Sequence, residues 1–319
     1  MAAPMIPPVA APAFLASAGW GGAAILPLAG DASFRRYFRV VGERGRAVLM
    51  DAPPEHEDCG PFLRVADHLR MLGFRAPAVL AQDLAAGLVL LEDFGDARMK
   101  EVVEADPARE RPVYAQAIDL LWQLHAHPAA PVPAYDMAVL LREVGLFPEW
   151  YAPALGIEVD ADGYTDAWGS VLGDVAQSRA VTVLRDYHAE NVMLLADGSL
   201  GLLDFQDALA GHPAYDLVSL LQDARRDVSS DLEAEMLDHY GELDRTAYAL
   251  LGAQRNAKIL GIFTRLWKRD GKPAYLGYQP RVWRYLERDL AHPALAPVRA
   301  WFDANVPVAA RADAWSAFA

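Results

Sequence analysis

One stretch limits the folds open to this chain more than any other. Residues 183–208, VLRDYHAENVMLLADGSLGLLDFQDA, set Asp186, Asn191 and Asp204 among Leu, Val and Met. Runs this apolar belong to an interior, and a carboxylate is costly to desolvate unless something neutralises it. The fold must therefore supply a hydrogen-bond network, cationic partners or a bound cation. Asp186 precedes Asn191 by five residues, and Asp204 follows the turn ADGS. Short strands are expected at 181–184 and 200–203 around that turn. Such a hairpin would set a loop carboxylate, a loop amide and a strand-end carboxylate around one pocket. Oxygen ligands of this kind suit Mg²⁺, which takes one or two carboxylates together with phosphate oxygens and water. Phosphoryl transfer needs that metal to neutralise phosphate charge, and a further carboxylate to orient the attacking hydroxyl.

At 319 residues the chain suits two lobes, and 53% hydrophobic residues with 8 Trp supply their interiors. AAILPLAG, FRRYFRVV and RAVLMDAP read as strands. A helix follows, with Phe62, Val65, Leu69 and Leu72 on one face, and then the strands APAVLAQD and GLVLLEDF. From Asp106 the pattern turns helical, from YAQAIDLLWQLHAH through AYDLVSLLQDAR and QRNAKILGIFTRLWKR to PRVWRYLERDL. The expected fold class is α+β. It comprises an N-terminal arm (1–19), a small antiparallel β lobe with one helix (20–97) and a larger, mostly helical lobe (98–319).

The opening twenty residues carry four prolines and no basic segment, so neither a signal peptide nor a membrane span is expected there. A net charge of −14 excludes the basic footprint of a nucleic-acid binder. The single cysteine, Cys59, excludes a disulfide framework or a cysteine-rich zinc site and fits a reducing cytoplasm. A soluble, cytoplasmic monomer acting on a small molecule is expected.

RD....N, LLDFQDA and GHPAYDL resemble the catalytic core of the protein-kinase-like phosphotransferases, in the branch of aminoglycoside and choline kinases. GDASFRRYFRV, VLMDAPP, LLEDFGD and GIFTRLWKRDGKPAYL are similar to the anomeric sugar kinases that phosphorylate N-acetylmuramate and N-acetylglucosamine at C1 in peptidoglycan recycling. The resemblance implies a protein-kinase-like bilobal fold, ATP as donor and Mg²⁺ as cofactor. It makes Asp186 the catalytic base and gives Mg²⁺ to Asn191 and Asp204. Asp216 would brace the catalytic loop through its backbone, with Arg185 in support. His188 and Asp207 would lie beside the acceptor.

Two departures from the family pattern shape the donor site. The phosphate turn, AGDASF, has one glycine, Gly30, with Ala32 and Ser33 small enough to let backbone N–H groups approach phosphate. The third strand carries Met50 where a phosphate-binding lysine is expected, and the helix after it has no central Glu. An arginine of FRRYFR would then take the phosphate. Strand alternation puts Phe34, Arg36 and Phe38 on one face and Arg35, Tyr37 and Arg39 on the other, and Arg36, near the turn, is favoured. Adenine would bond the main chain around Glu92, Asp93 and Phe94, walled by Val48 and Leu90.

The acceptor pocket is expected on QRNAKILGIFTRLWKRDGK, where Arg255, Asn256 and Arg265 would read the lactyl carboxylate of N-acetylmuramate. The rival acceptors are aminoglycosides and choline, which call for a ring of Asp and Glu or an aromatic cage. The net charge permits them, and this basic helix argues against them. A non-catalytic kinase-like regulator is the third reading, opposed by the intact Asp186, Asn191 and Asp204.

Overall fold

The structure, a computed structural model, describes residues 5–30 and 34–318. Its contacts divide the chain into two units. The first runs through Glu101 and takes in Glu190–Asp207; the second comprises Val102–Ala189 and the chain from Ala208 onward.

The first unit is built on β1 (Ala24–Gly30), β2 (Arg36–Gly42), β3 (Gly45–Asp51), β4 (Val79–Asp83) and β5 (Leu88–Glu92), in antiparallel order β1-β2-β3-β5-β4. β1 is an edge strand, where Pro27 removes no ladder bond that the sheet needs. Strand alternation sends Phe38, Val40, Ala47, Leu49, Leu88 and Leu90 to one face, all fully buried. Helix α1 (Ala11–Ser17) lays Ala11, Phe14 and Leu15 on that face beside Trp20. The short helix expected near residues 14–17 at the end of the arm begins at Ala11 and packs into the core; burying each large side chain is worth roughly 1.5–3 kcal/mol. Helix α2 (Gly60–Met71) separates β3 from β4, and α3 (Met99–Ala105) holds the boundary of the unit.

The strands around ADGS differ from expectation in their pairing. β7 (Val192–Leu194) pairs with β8 (Leu200–Leu202), and both belong to the first unit. β6 (Val181–Val183) pairs instead with β9 (Leu209–Gly211) in the second unit. Leu195 N–H donates to the Ser199 carbonyl at 2.9 Å and Gly198 adopts φ +83°, so the turn closes on the strand immediately before it. The hairpin expected in the helical lobe therefore groups with the sheet.

The second unit is helical: α4 (Glu110–His125), α5 (Met137–Val144), a π-helical turn over Phe147–Tyr151, α6 (Ala152–Ala154), α7 (Ala161–Val171), α8 (Ala214–Leu221), α9 (Ser230–Tyr240), α10 (Arg245–Asp270), α11 (Gln279–Leu290) and α12 (Ala296–Asn305). Its axis is α10, whose 26 residues span about 39 Å. Asp244 caps its start by accepting from Thr246 and Ala247 N–H, and Gly271 ends it at φ +65°. A Cβ at Gly261 would lie 2.4 Å from the Leu146 backbone, so glycine there lets the π turn rest directly on α10. Trp283 packs against Phe147, Tyr151 and Phe302 and donates from Nε1 to the Tyr151 hydroxyl at 2.7 Å, which makes it core.

Candidate active site

In the second unit, the chain leaves β6 and enters the loop that carries Asp186. Asp216, in the first turn of α8 and 0% exposed, accepts Leu184 N–H at 2.6 Å and Arg185 N–H at 2.9 Å. Burial outweighs these two amide donors and raises its carboxyl to about 7. The Ser219 hydroxyl, one turn along α8, donates to the Arg185 carbonyl at 3.1 Å, and Arg255 Nη2 donates to Ser219 Oγ at 2.8 Å. The Arg185 guanidinium is ion-paired with Glu143 of α5. Glu143 also accepts from Lys258 Nζ at 3.0 Å, from Gln254 Nε2 at 3.3 Å and from the Tyr135 hydroxyl. Burial would raise the Glu143 carboxyl, but Lys258 and Arg185 prevail and lower it to about 2. Arg185 is thus gripped at its N–H, its carbonyl and its side chain. It sits at φ +70°, a left-handed conformation that non-glycine residues adopt at a cost.

Beyond Asp186, the Tyr187 hydroxyl donates to the Ala117 carbonyl at 2.9 Å, and Ala189 N–H donates to Asp223 at 3.3 Å. His188, expected beside the acceptor, is 3% exposed. Burial, with the Arg225 charge, lowers it to about 3, so it is a neutral interior imidazole. The loop packs around this ring, which corrects its reading as a substrate contact.

In the first unit, the β7–β8 hairpin brings the side-chain amides of Asn191 and Gln206 to the carboxylate of Asp204. Leu203 N–H donates to the Asn191 carbonyl at 2.9 Å, fixing the two ends of the hairpin together. Asn191 Nδ2 then lies 3.4 Å from Asp204 Oδ2, and Gln206 Nε2 donates to Asp204 Oδ1 at 2.8 Å. Asp204 sits at φ +58°. Gln206 Oε1 is buried without a hydrogen-bond partner. One carboxylate and two amide oxygens are a hard donor set that fits Mg²⁺ completed by phosphate and water. Among the described residues, no three of His, Cys, Asp and Glu form a metal-binding group.

Three arginines of the segment before and in β2 divide between the faces of the sheet. Arg36 shares the α1 face: it pairs with Asp51 at 2.8 Å and donates to the Ile6 carbonyl at 3.3 Å. Its expected role at the phosphate is therefore corrected, because register places Arg36 opposite Asp51 on the covered side. Arg39 lies on the other face and is committed to Asp93 at 2.7 Å and Asp96 at 2.8 Å. Arg35, 8% exposed, places Nη2 at 3.9 Å from Asp204 Oδ1.

A sequence profile of the phosphotransferase enzyme family matches residues 24–251, more than half of the chain. The chain belongs to this family. It is 40% identical to an N-acetylmuramate/N-acetylglucosamine kinase of Caulobacter vibrioides, over 94% of this chain and 96% of that protein. An enzyme of the same name from Pseudomonas aeruginosa is 40% identical over 89% of this chain and 90% of its own length. Among solved structures, the choline kinase LicA of Streptococcus pneumoniae shares the fold, with a TM-score of 0.62 at 13% identity. That similarity covers 86% of this chain and 93% of LicA. The aminoglycoside phosphotransferase APH(3'')-Id of Streptomyces rimosus, in complex with ADP and streptomycin, gives 0.58 at 19% identity, over 80% and 99% of the two chains.

The remaining expected site residues of this phosphotransferase are placed as follows. Ser33 lies outside the described residues. Val48 pairs with Leu91 and Leu49 with Leu90, so the wall on the Val48 face is Leu91, while Leu90 belongs to the α1 core. Glu92 donates its N–H to the Ala78 carbonyl at 2.9 Å and its carboxylate binds Arg75, so its amide is not open to adenine. Asp93 turns the chain by accepting Gly95 N–H at 2.8 Å. The ring of Phe94 covers Gly201, where a Cβ would come within 2.7 Å of it. Asp207 is exposed beside Gln206.

Arg255 and Asn256 are interior rather than facing an acceptor. Asn256, 0% exposed, donates to Gln222 at 2.7 Å and Asp289 at 3.3 Å. These two are corrected because α10 is buried on almost every side, so its polar residues serve neighbouring helices. Arg265 stands about 15 Å further along the helix, in the field of Arg269, Asp270 and Glu149. Sequence reasoning missed Glu143, Ser219 and Gln206, and read Lys258 as one of the basic residues of an acceptor helix rather than as a tie to Glu143. Only Glu143 left a signal, as a lone acid on the apolar stripe of α5.

Proposed function

We propose that this phosphotransferase transfers the γ-phosphoryl group of ATP to the anomeric hydroxyl of N-acetylmuramate and N-acetylglucosamine, returning cell-wall sugars towards nucleotide-activated forms. The observation that carries the substrate class is similarity over 80–94% of this chain to four relatives, 35–40% identical, that bear the name N-acetylmuramate/N-acetylglucosamine kinase. Asp186 acts as the base that orients the acceptor hydroxyl and takes its proton. An anomeric hydroxyl is more acidic than an ordinary alcohol, which suits a carboxylate base of ordinary strength. Asp216, Ser219 and Glu143 hold the backbone and side chain of Arg185, and so the approach of Asp186, before substrate arrives. Asn191 and Asp204, with Gln206 beside them, hold Mg²⁺. When bound, that ion neutralises charge on the transferring phosphate.

The same reading has the protein act as a cytoplasmic monomer, on a small molecule rather than on nucleic acid or a membrane. No helix among the described residues is long and apolar enough to cross a bilayer.

The test is a panel of amino sugars, aminoglycosides and choline with ATP and Mg²⁺, reading the phosphorylated position by ³¹P NMR. The expected product is the sugar 1-phosphate; turnover of kanamycin-like compounds without the sugars would overturn the assignment. Replacing Asp186 by Asn should lower kcat by roughly 10²–10⁴ and leave ATP binding by calorimetry nearly intact.

A further inference from the structure

We propose that Arg255 is a positioning residue for the transfer: from inside α10 it secures the backbone of Arg185 on both sides, through Ser219 to the carbonyl and by its field on Asp216 to the N–H, and so fixes the approach of Asp186. The inference rests on the role given above to Asp186 as the base. Arg255 is 3% exposed, and its Nη2 donates to Ser219 Oγ at 2.8 Å. Nη1 is buried without a hydrogen-bond partner, and among the described residues the guanidinium is ion-paired to no carboxylate. A buried charge is ordinarily paired, because taking it out of water is costly. An apolar side chain of similar volume would pack there without that cost, so the charge itself needs a reason.

The reason lies on α8. Asp216 accepts Leu184 N–H on Oδ2 and Arg185 N–H on Oδ1. An ionised carboxylate accepts on both oxygens, whereas a protonated one turns an oxygen into a donor beside an amide donor and weakens one of the two bonds. The charged and titratable groups acting on Asp216 are Asp186 and Tyr187 on the loop, Tyr240 on α9 and Arg255 on α10. Burial and Asp186 favour the neutral acid, the two amides and Arg255 favour the carboxylate, and the balance falls at about 7. Arg255 is the cation of that set, so its charge decides whether both amides stay held at neutral pH. The same guanidinium adds to burial and Arg225 in keeping His188 neutral. On the other side of Arg185, the Arg255 donation occupies a lone pair of the Ser219 oxygen, and the Ser219 hydroxyl donates to the Arg185 carbonyl at 3.1 Å.

The test reads the loop directly, by hydrogen exchange of the Leu184 and Arg185 amides from about pH 6 to about pH 9, corrected for the intrinsic exchange rate. Steady-state kinetics with N-acetylmuramate and ATP are recorded over the same range, and melting temperatures check folding. In Arg255→Met, protection of these two amides should fall roughly 10-fold at about pH 7 and return at about pH 9, where Asp216 ionises without help. The kcat should fall and recover in parallel, with KM for ATP unchanged. Arg255→Lys, which keeps the charge, should restore most of the protection near neutral pH. Protection and kcat equal to wild type in Arg255→Met would overturn the proposal. So would an equal loss at every pH, because it marks lost packing rather than a lost charge. If wild type shows the expected exchange but phosphorylates no amino sugar, the choice of acceptor fails and the hold of Arg255 on the loop stands. Should Arg255→Met fail to fold, Arg255→Gln, also uncharged, is judged by the same pH dependence.

Discussion

Among the described residues, two that are not glycine have positive φ, Arg185 at +70° and Asp204 at +58°, and both adjoin or form the proposed chemistry. Such conformations cost about 1–3 kcal/mol each and persist where surrounding groups over-determine them. For Arg185 those groups are Asp216, Ser219 and Glu143. For Asp204 they include Asn191 and Gln206 on the same hairpin. Asparagine tolerates the left-handed region, so Asp204→Asn separates charge from conformation. Its melting temperature should stay within a few degrees of wild type while ADP binding loses its dependence on Mg²⁺. Unaltered metal dependence in a calorimetric titration would refute the role given to Asp204. The residue types here were legible in the sequence, since acids among Leu and Val demand explanation. The strain was not, because φ depends on which partners the fold brings to the backbone.

At the scale of elements, α5 and α10 do together what neither sequence announces. Glu143 is the shared counter-ion of Arg185 on the loop and Lys258 on α10. Removing one partner from a buried ionic group leaves an uncompensated charge and typically costs about 3–5 kcal/mol. Glu143→Ala should therefore lower unfolding stability by about that amount in urea melts. The same variant, assayed well below its melting temperature, should lose kcat with little change in KM for ATP, because it loosens the base and not the nucleotide site. Adding Lys258→Met to Glu143→Ala should restore part of the stability and none of the kcat. The basic residues of α10 read from sequence as a surface that could meet a carboxylate. In the fold, helices pack around α10 and turn Arg255, Asn256 and Lys258 into internal ties.

For the molecule as a whole, buried acids and buried histidines set opposite trends with pH. Asp289 is raised to about 8 by burial, against Arg288 and the amides of Gln222 and Asn256. The unfolded chain ionises such a group near 3.9, so its contribution is full below about pH 4 and lost as pH rises to about 8. His125 and His188 are lowered to about 3, first by burial, whereas unfolded histidine titrates near 6.5. Their contribution is full above about pH 6.5 and lost as pH falls towards 3. Above pH 6.5 only the acids still change, so the melting temperature should fall between about pH 6.5 and 8.5. In Asp289→Asn, thermal melts across that window should show a shallower fall; parallel curves would mean that Asp289 is ionised throughout.

Local chemistry was enough to read much of this protein from its residues in order. The alternation of β2 and β3, the apolar faces of the helices and the loop carrying Asp186 follow from nearest neighbours along the chain, and so does the membership of its family. Which strand closes the ADGS turn, which side of the sheet α1 covers, and hence which of Arg35 and Arg36 meets Asp204, are pairings across long sequence separations. No periodicity encodes them, because each depends on the apolar face that another element leaves to be filled. The same holds for Glu143, whose charge acquires a purpose only when α10 delivers Lys258 beside the loop.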